Sequence, residues 1–295
     1  MKKIFNYTII GLLAVLLTPV SLFSQDDEAK VEDKPVRTPF ESGILIDNQT
    51  SVVPEKKTLE LLIQHRFGKI NANGVSDLYG IYAPAANIRM GLNYTLLKNL
   101  MVGYGITKKN MYSDFQIKYT ILEQTRKNTI PVSLTLYGNM AIDGRNKEVF
   151  GLDYTAANRF SYFGQVIVGR KFCDWFTLQV TGSFTHYNLV EPGYDHDKIG
   201  VGAAGRVKIS TQSSIIFQYD MPLKIKSISE NKGFDNASLP NFGIGWEAFT
   251  GTHAFQVYIS TADGIVPQDI YMNNHNDFLN GDMMIGFTIT RLWNF

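Results

Sequence analysis

MMIGFTITRLWNF, residues 283–295, is the stretch that decides the fold class of this chain. Its alternate positions are apolar or amphipathic: Met283, Ile285, Phe287, Ile289, Arg291 (through its aliphatic stem) and Trp293. The positions between them are polar or small, with Leu292 as the apolar exception. A period of two predicts a strand with one apolar and one polar face, because a helix repeats every 3.6 residues. Such a strand, with an aromatic last residue, is typical of the closing strand of a bacterial outer-membrane β-barrel.

The same stretch predicts where the protein lies and how it gets there. We expect its apolar face to contact outer-membrane lipid, which places the protein in the cell outer membrane. We also expect the barrel-assembly machinery to recognise this last strand as an assembly signal. The residues expected to carry that signal are Phe287, Ile289, Trp293 and Phe295.

The beginning of the chain predicts export. Lys2 and Lys3 form a short positive region, an apolar run follows at residues 9–20, and Ser24 precedes an acidic turn. The run is too short for a comfortable transmembrane helix, so residues 1–24 are predicted to be a cleaved secretory signal peptide. No later run of the sequence approaches the roughly 18 apolar residues that a membrane helix needs.

Composition narrows the class of protein further. The single cysteine, Cys173, excludes an internal disulfide. Without Lys2 and Lys3, the 28 basic residues become 26 against 27 acidic ones, so the charge balance indicates no nucleic-acid partner. Aromatic residues make up 13% of the chain, which fits a β-protein with rings at the membrane interfaces.

Residues 58–295 carry a regular alternation that predicts twelve strands of about ten residues, the length that a tilted strand needs to cross a bilayer. The connections alternate between long and short, apart from the third and fourth. A closed barrel with both termini in the periplasm has this pattern, with tight turns on one side and long loops on the other. The sequence therefore predicts an all-β, transmembrane, antiparallel up-and-down β-barrel of about 12 strands. A soluble sandwich or a lipocalin-like barrel is the competing architecture.

The segment before the barrel, residues 25–57, is harder to place. Residues 26–37 are charged and have no aromatic side chain, so we predict a flexible N-terminus. Residues 38–57 fit three alternatives: an extra strand, a plug inside the barrel, or a periplasmic lead-in.

The polar faces of the strands carry the functional prediction. Charges of both signs there can line a hydrated channel, or they can pair across a narrow lumen and close it. Arg66 and Arg89 fit an inward cationic pair neutralised by Asp77 or Glu60, and a structural ion pair is the favoured alternative. The candidate lumen-lining residues are Arg66, Arg89, Lys118, Arg206 and Glu247.

No arrangement in the sequence indicates catalysis, a cofactor or a metal. Residues 200–205 read GVGAAG, but these glycines lie inside an alternating strand, where small residues that thin the barrel wall are the better interpretation. The five histidines are scattered, without metal-ligand spacing. No histidine precedes a serine by two residues, the arrangement of the outer-membrane phospholipases. We therefore predict a protein that is not an enzyme.

Several motifs also resemble a known family. They are FESGILIDNQT (40–50), LIQHRFG (62–68), NIRMGLNY (87–94), YGNMAID (137–143) and TRLWNF (290–295). The chain resembles, over residues 38–295, a family of outer-membrane β-barrels of Bacteroidetes-type bacteria that is classed as a domain of unknown function. The resemblance implies an outer-membrane barrel and supplies no substrate, reaction or ligand residues.

Two functions remain open at this point. The first is a narrow channel or transporter for small solutes of unknown identity. The alternative is a plugged structural or adaptor barrel that acts through its long extracellular loops or through an unidentified periplasmic partner. The sequence favours the first by a small margin.

Overall fold

The computed structural model describes residues 33–224 and 237–295, so the predicted signal peptide lies outside the described residues. Within these ranges there are fourteen strands, one α-helix and five short 3-10 turns. The strands are β1 (Ile44–Leu45), β2 (Asn48–Gln49), β3 (Thr58–Lys69), β4 (Asn87–Leu97), β5 (Leu100–Thr107), β6 (Ser113–Leu122), β7 (Ser133–Ile142), β8 (Phe160–Lys171), β9 (Phe176–Tyr187), β10 (Asp197–Lys208), β11 (Ser213–Leu223), β12 (Asn241–Phe249), β13 (His253–Ser260) and β14 (Met284–Asn294). The helix α1 is Pro267–Asn273, and the 3-10 turns are Gly74–Asp77, Lys109–Met111, Lys147–Phe150, Ala156–Arg159 and Phe278–Asn280.

Strands β3 to β14 form a closed antiparallel barrel in which each strand pairs with its neighbours in sequence. The last strand closes the circle by pairing with the first strand of the barrel, with Thr290 opposite Leu62. Closure leaves no sheet edge with unpaired backbone groups, which a lipid environment requires. The predicted all-β, twelve-stranded up-and-down barrel is confirmed.

The alternation in each strand separates a lipid-facing surface from a lumen. In β4, Met90 and Leu92 are about half exposed on the outside, whereas Arg89 and Asn93 are buried inside the barrel. Apolar outward and polar inward faces are what a membrane-spanning barrel needs. Among the described residues, no helix has the length and apolar character to cross a membrane.

The final strand follows the same rule. Phe287, Ile289 and Trp293 lie on the outer face of β14, and the Trp293 ring is stacked under the Arg291 guanidinium at 4.9 Å. Phe295 follows the strand and is 77% exposed. The structure thus makes these four side chains accessible from outside, and their role as an assembly signal remains a prediction.

Two connections between strands depart from the alternation between long and short. We call the end with the short turns periplasmic and the end with the long loops extracellular, as in other barrels of this kind. The β5–β6 connection is short but lies at the extracellular end. The β6–β7 connection is longer although it is periplasmic, because it receives the N-terminal segment through a bridge from Pro35 to Thr125.

Two segments enter the barrel from opposite ends. The plug, residues 38–57, comes from the periplasmic end and carries the β1–β2 hairpin, which forms a two-stranded sheet of its own. The outer loop, residues 261–283, folds in from the extracellular end and carries α1. Residues Ile44, Leu45 and Ile46 of the plug are buried, as is most of α1.

One strand has large apolar residues on both faces, and α1 explains this. Phe163 and Ile167 of β8 point inward and form an apolar cluster with Ile270 and Tyr271 of α1. The inward apolar side chains of β8 are therefore the docking surface of the helix, whereas Tyr162 and Val166 face outward and are exposed.

One glycine of the GVGAAG sequence in β10, Gly200, makes room for the same helix. A side chain at Gly200 would overlap the ring of Tyr271, and one at Gly202 would come within 2.5 Å of Asp220 Oδ1. Glycine at position 200 thus lets α1 approach the wall closely. This agrees with the interpretation of these residues as a thin part of the wall.

Candidate functional site

The lumen wall carries a set of buried charges. They come from six strands, so they surround the interior instead of clustering on one side. All five candidate lumen-lining residues have their side chains inside the barrel, with at most 4% of the residue surface exposed. The buried charged residues of the wall include Glu60, Arg66, Arg89, Asp114, Lys118, Arg206, Asp220 and Glu247.

Asp47, at the tip of the plug hairpin, bonds to several side chains of the wall. Its carboxylate accepts hydrogen bonds from Arg66 Nη2 at 2.5 Å, Gln218 Nε2 at 2.7 Å and Asn241 Nδ2 at 3.0 Å. Its backbone N–H donates to Gln218 Oε1 at 2.9 Å. Because the Arg66 and Asp47 side chains are both 1% exposed, this is a fully buried ion pair.

Two further cations of the wall bind the plug nearer the periplasmic end. Lys118 Nζ donates to the carbonyl oxygen of Gly43 at 2.7 Å. Arg206 Nη1 pairs with the Glu41 carboxylate at 2.8 Å, and its Nη2 donates to a backbone carbonyl of the plug. Backbone carbonyls thus receive several of the bonds, which keeps them satisfied inside the barrel.

Glu247 reaches the plug through hydroxyl and amide groups. Its carboxylate accepts from the Ser42 hydroxyl at 3.3 Å and from Gln256 Nε2 at 3.0 Å. Gln256 also donates to Ile44 O at 2.9 Å and accepts from Ile46 N at 2.9 Å. A small apolar cluster completes the contact, in which plug residues pack against Ala204, Ile216 and Tyr258.

The structure corrects the partners proposed for the two arginines. Arg89 forms a two-bond ion pair with Asp114, with distances of 2.9 Å from Nε and 2.6 Å from Nη2. Asp77 instead organises the β3–β4 loop, where it accepts from the backbone N–H of a glycine at 2.8 Å. Glu60 accepts a long bond of 3.5 Å from Asn93. The partner of Arg66 belongs to the plug, which the sequence did not place.

Two wall residues touch the plug and the outer loop at once. Besides binding the plug, Arg66 donates through Nη1 to the backbone carbonyl of Ala262 in the outer loop. Asp220 accepts from Asn48 Nδ2 of the plug at 2.9 Å and from Tyr271 Oη of α1 at 3.0 Å. These residues therefore join the two closing segments across the middle of the barrel.

The outer loop is also tied to the extracellular rim. Lys109 Nζ lies 3.0 Å from an Asp263 carboxylate oxygen and 3.5 Å from one of Asp269. Burial lowers the pKa of Lys109, but attraction to Asp269 and Asp263 outweighs it and leaves the pKa above its usual value. Tyr187 Oη donates to Asp269 at 3.2 Å. These contacts hold α1 in the lumen from above.

Little space remains between the two segments. A cavity of ≈ 20 Å³ lies among Asp47, Gln64, Arg89, Asp220 and Tyr271. That volume accommodates about one water molecule. The plug and α1 therefore close the lumen at the level where they meet.

The described residues offer no alternative centre for metal chemistry. Within residues 33–224 and 237–295, no group of three or more His, Cys, Asp or Glu side chains is placed to hold a metal ion. His186 and Asp197 pair at 2.8 Å at the extracellular rim, and His186 Nε2 lies 3.0 Å from Asn188 Oδ1. The buried charges of its wall make the lumen the candidate functional site.

Residues 40–293 match the family model "Membrane bound beta barrel domain (DUF5777)". The chain belongs to this family. The family resemblance expected from the sequence is confirmed, while its bacterial group remains a prediction. As a member of this membrane-bound barrel family with a closed twelve-stranded fold, the protein lies in the outer membrane.

Solved structures with the same architecture include an outer membrane channel from Pseudomonas putida F1. It is 11% identical, the alignment covers 82% of this chain and 97% of that one, and the TM-score is 0.50. The NanC porin (7% identity, 80% and 99% coverage, TM-score 0.48) and the KdgM porin (5% identity, 81% and 99% coverage, TM-score 0.45) are more distant. At these identities the likeness shows the fold alone. No curated protein matches the chain in sequence.

Proposed function

We propose that this barrel is a gated, narrow channel for small polar solutes, and that the plug and the outer loop are its two closures. The polarity of the wall supports the proposal. Well-packed apolar side chains fill a permanently closed interior at no desolvation cost, whereas buried charges cost several kcal/mol each before pairing. Charged side chains of both signs suit a lumen that takes up water when its closures move.

The attachment of the plug also supports movement. Its hairpin forms hydrogen bonds to the wall through side chains, and its two strands pair with each other. The segment is anchored at both ends at the periplasmic rim, by a bond of 2.8 Å from Val36 N to Gln124 O and one of 2.9 Å from Lys57 N to Thr95 O. The plug can therefore leave the lumen as a tethered loop while the barrel ladder stays intact.

Conductance in planar bilayers tests the proposal. We would compare the intact chain, a chain without residues 38–57, and a chain that also has residues 264–281 replaced by a short Gly-Ser linker. We expect brief openings from the intact chain, longer ones without the plug, and a steady open state without both closures. Heat-modifiable migration in gels would show that each variant is a folded barrel.

The outcomes separate the two functions considered for this chain. A folded double variant that never conducts would refute the channel. An intact chain that stays silent while the double variant conducts would identify a plugged structural or adaptor barrel.

A further inference from the structure

A cavity of ≈ 630 Å³ opens at the extracellular end of the barrel, above α1. Its walls come from the β5–β6, β7–β8 and β9–β10 loops, and its floor includes Met272 and Asn273 at the end of the helix. We call it the outer cavity. Its volume is in the range of sites that hold small organic molecules.

One side of the outer cavity presents a fixed guanidinium. Arg159 donates from Nε to Tyr154 Oη, and from Nη1 to the carbonyl oxygens of Asp143 and Arg145, each at 2.6 Å. Its guanidinium also lies over the ring of Phe150 at 4.7 Å. The Tyr154 ring lies at 5.1 Å, and together these three hydrogen bonds and two ring contacts hold the group in one place before any ligand arrives.

The groups that hold the guanidinium of Arg159 are neutral. Among residues 33–224 and 237–295, no carboxylate forms an ion pair with it. The neighbouring cations are already neutralised, since Arg145 binds the Asp143 carboxylate at 2.6 Å and Lys109 binds two carboxylates of the outer loop. In the described part of the chain, both N–H groups of Arg159 Nη2 are left for another acceptor. These two N–H groups point to opposite edges of the guanidinium, so Nη2 can donate a single charge-assisted hydrogen bond to a carboxylate oxygen.

Apolar side chains also line the outer cavity, beside polar ones such as Asn158 and Glu191. Val149 and Leu189 are 53% and 37% exposed on different loops, yet both line this cavity. The Pro192 ring and the Met272 side chain are further parts of the lining. Apolar side chains from three elements that meet at one cavity indicate a ligand with an apolar body.

We propose that the outer cavity binds a small organic acid, with its carboxylate on Arg159 and its apolar body against Val149 and Leu189. Only one part of this proposal rests on the proposed channel function, namely that the outer cavity is where a transported solute first binds. Binding itself is a property of the extracellular loops.

Calorimetric titration of the full-length protein in detergent tests the site. Benzoate is the probe, its uncharged isostere benzamide is the control for the carboxylate, and inorganic phosphate is the control for the apolar body. We expect benzoate to bind at least tenfold more tightly than either control. Equal binding of benzoate and benzamide, or tighter binding of phosphate, would overturn the proposal, as would no benzoate binding up to about 10 mM.

Two variants identify the anchoring residue. Arg159→Gln is expected to weaken benzoate binding at least tenfold, and unchanged binding would contradict its role. Arg126→Gln is the matched control, because Arg126 also donates to a backbone carbonyl but lies at the periplasmic end. It should bind benzoate like the parent.

A third variant guards against a folding artefact in the first. Glu191 is an exposed carboxylate on the lining of the outer cavity, where it repels an anion. Glu191→Gln should therefore tighten benzoate binding by roughly two- to fivefold and leave benzamide unaffected. Weaker benzoate binding in this variant would count against the assignment. Binding is measured without conductance, so the two proposals can fail separately. If the folded double variant never conducts but the parent binds benzoate, the channel is refuted and the binding site is supported.

Discussion

At the scale of single residues, the pairing of Arg89 with Asp114 shows what a buried ion pair demands. The two side chains are 5% and 0% exposed, and they meet through two parallel hydrogen bonds. This geometry offsets much of the desolvation of both groups. Removing only one partner leaves the other as an uncompensated charge inside the barrel.

We therefore expect Arg89→Met to lower the free energy of unfolding by about 3–5 kcal/mol. The double variant Arg89→Met/Asp114→Leu should recover most of this loss, because both charges of this pair are then absent. Urea titration of barrels folded in lipid vesicles measures both values. A single variant within about 0.5 kcal/mol of the parent would show that the pair is solvated and that the burial argument fails.

The sequence predicted the inward position of these charges but not their partners. Alternation alone puts Arg66 and Arg89 on the polar face of their strands. The partner of Arg66, however, is Asp47, whose position depends on how residues 38–57 fold inside a lumen that does not exist until the strands close. The single acid in the apolar run ILIDN was the available signal for a buried anchor.

At the scale of elements, α1 could not be predicted because its seven residues are stabilised by their surroundings. A helix this short is unstable alone, and it forms here against Phe163 and Ile167 of β8. The sequence carried a trace of this contact, because β8 has apolar side chains on both faces. The twelve long strands, by contrast, are predictable from the sequence because each has a local period of two.

Gly200→Val tests whether a thin wall is what admits α1. The added side chain would displace the ring of Tyr271, so we expect chymotrypsin to cleave after Tyr271 roughly tenfold faster than in the parent, a shift of about 1.4 kcal/mol. Gly182→Val is the matched control, since a side chain there meets open space. Equal cleavage rates in the two variants would show that Gly200 is not needed for docking of the helix.

At the scale of the whole molecule, the two closures share supports. Arg66 binds the plug and the outer loop, and Asp220 does the same through Asn48 and Tyr271. If the plug loses its bonds to Arg66 or Asp220, that side chain becomes more mobile and holds the outer loop less firmly. The extracellular and periplasmic closures should therefore loosen together.

Hydrogen exchange can measure this coupling. Asp47→Asn weakens the bond to Arg66, so we expect faster exchange in the outer loop as well as in the plug, by roughly five- to tenfold in the outer loop. Glu41→Gln breaks the pair with Arg206, which has no bond to the outer loop among the described residues, and should affect the plug alone. An outer loop that exchanges normally in Asp47→Asn would show that the closures are independent.

The anchors at both ends of the plug have a kinetic consequence. A segment held at Val36 and Lys57 stays within a few nanometres of its seat when it swings out. Its return is an intramolecular step, governed by an effective concentration on the order of millimolar. A free peptide of the same sequence would have to reach that concentration to compete. The barrel would thus close quickly after each opening. The duration of an opening would be set by the rate at which the tethered plug returns to the lumen.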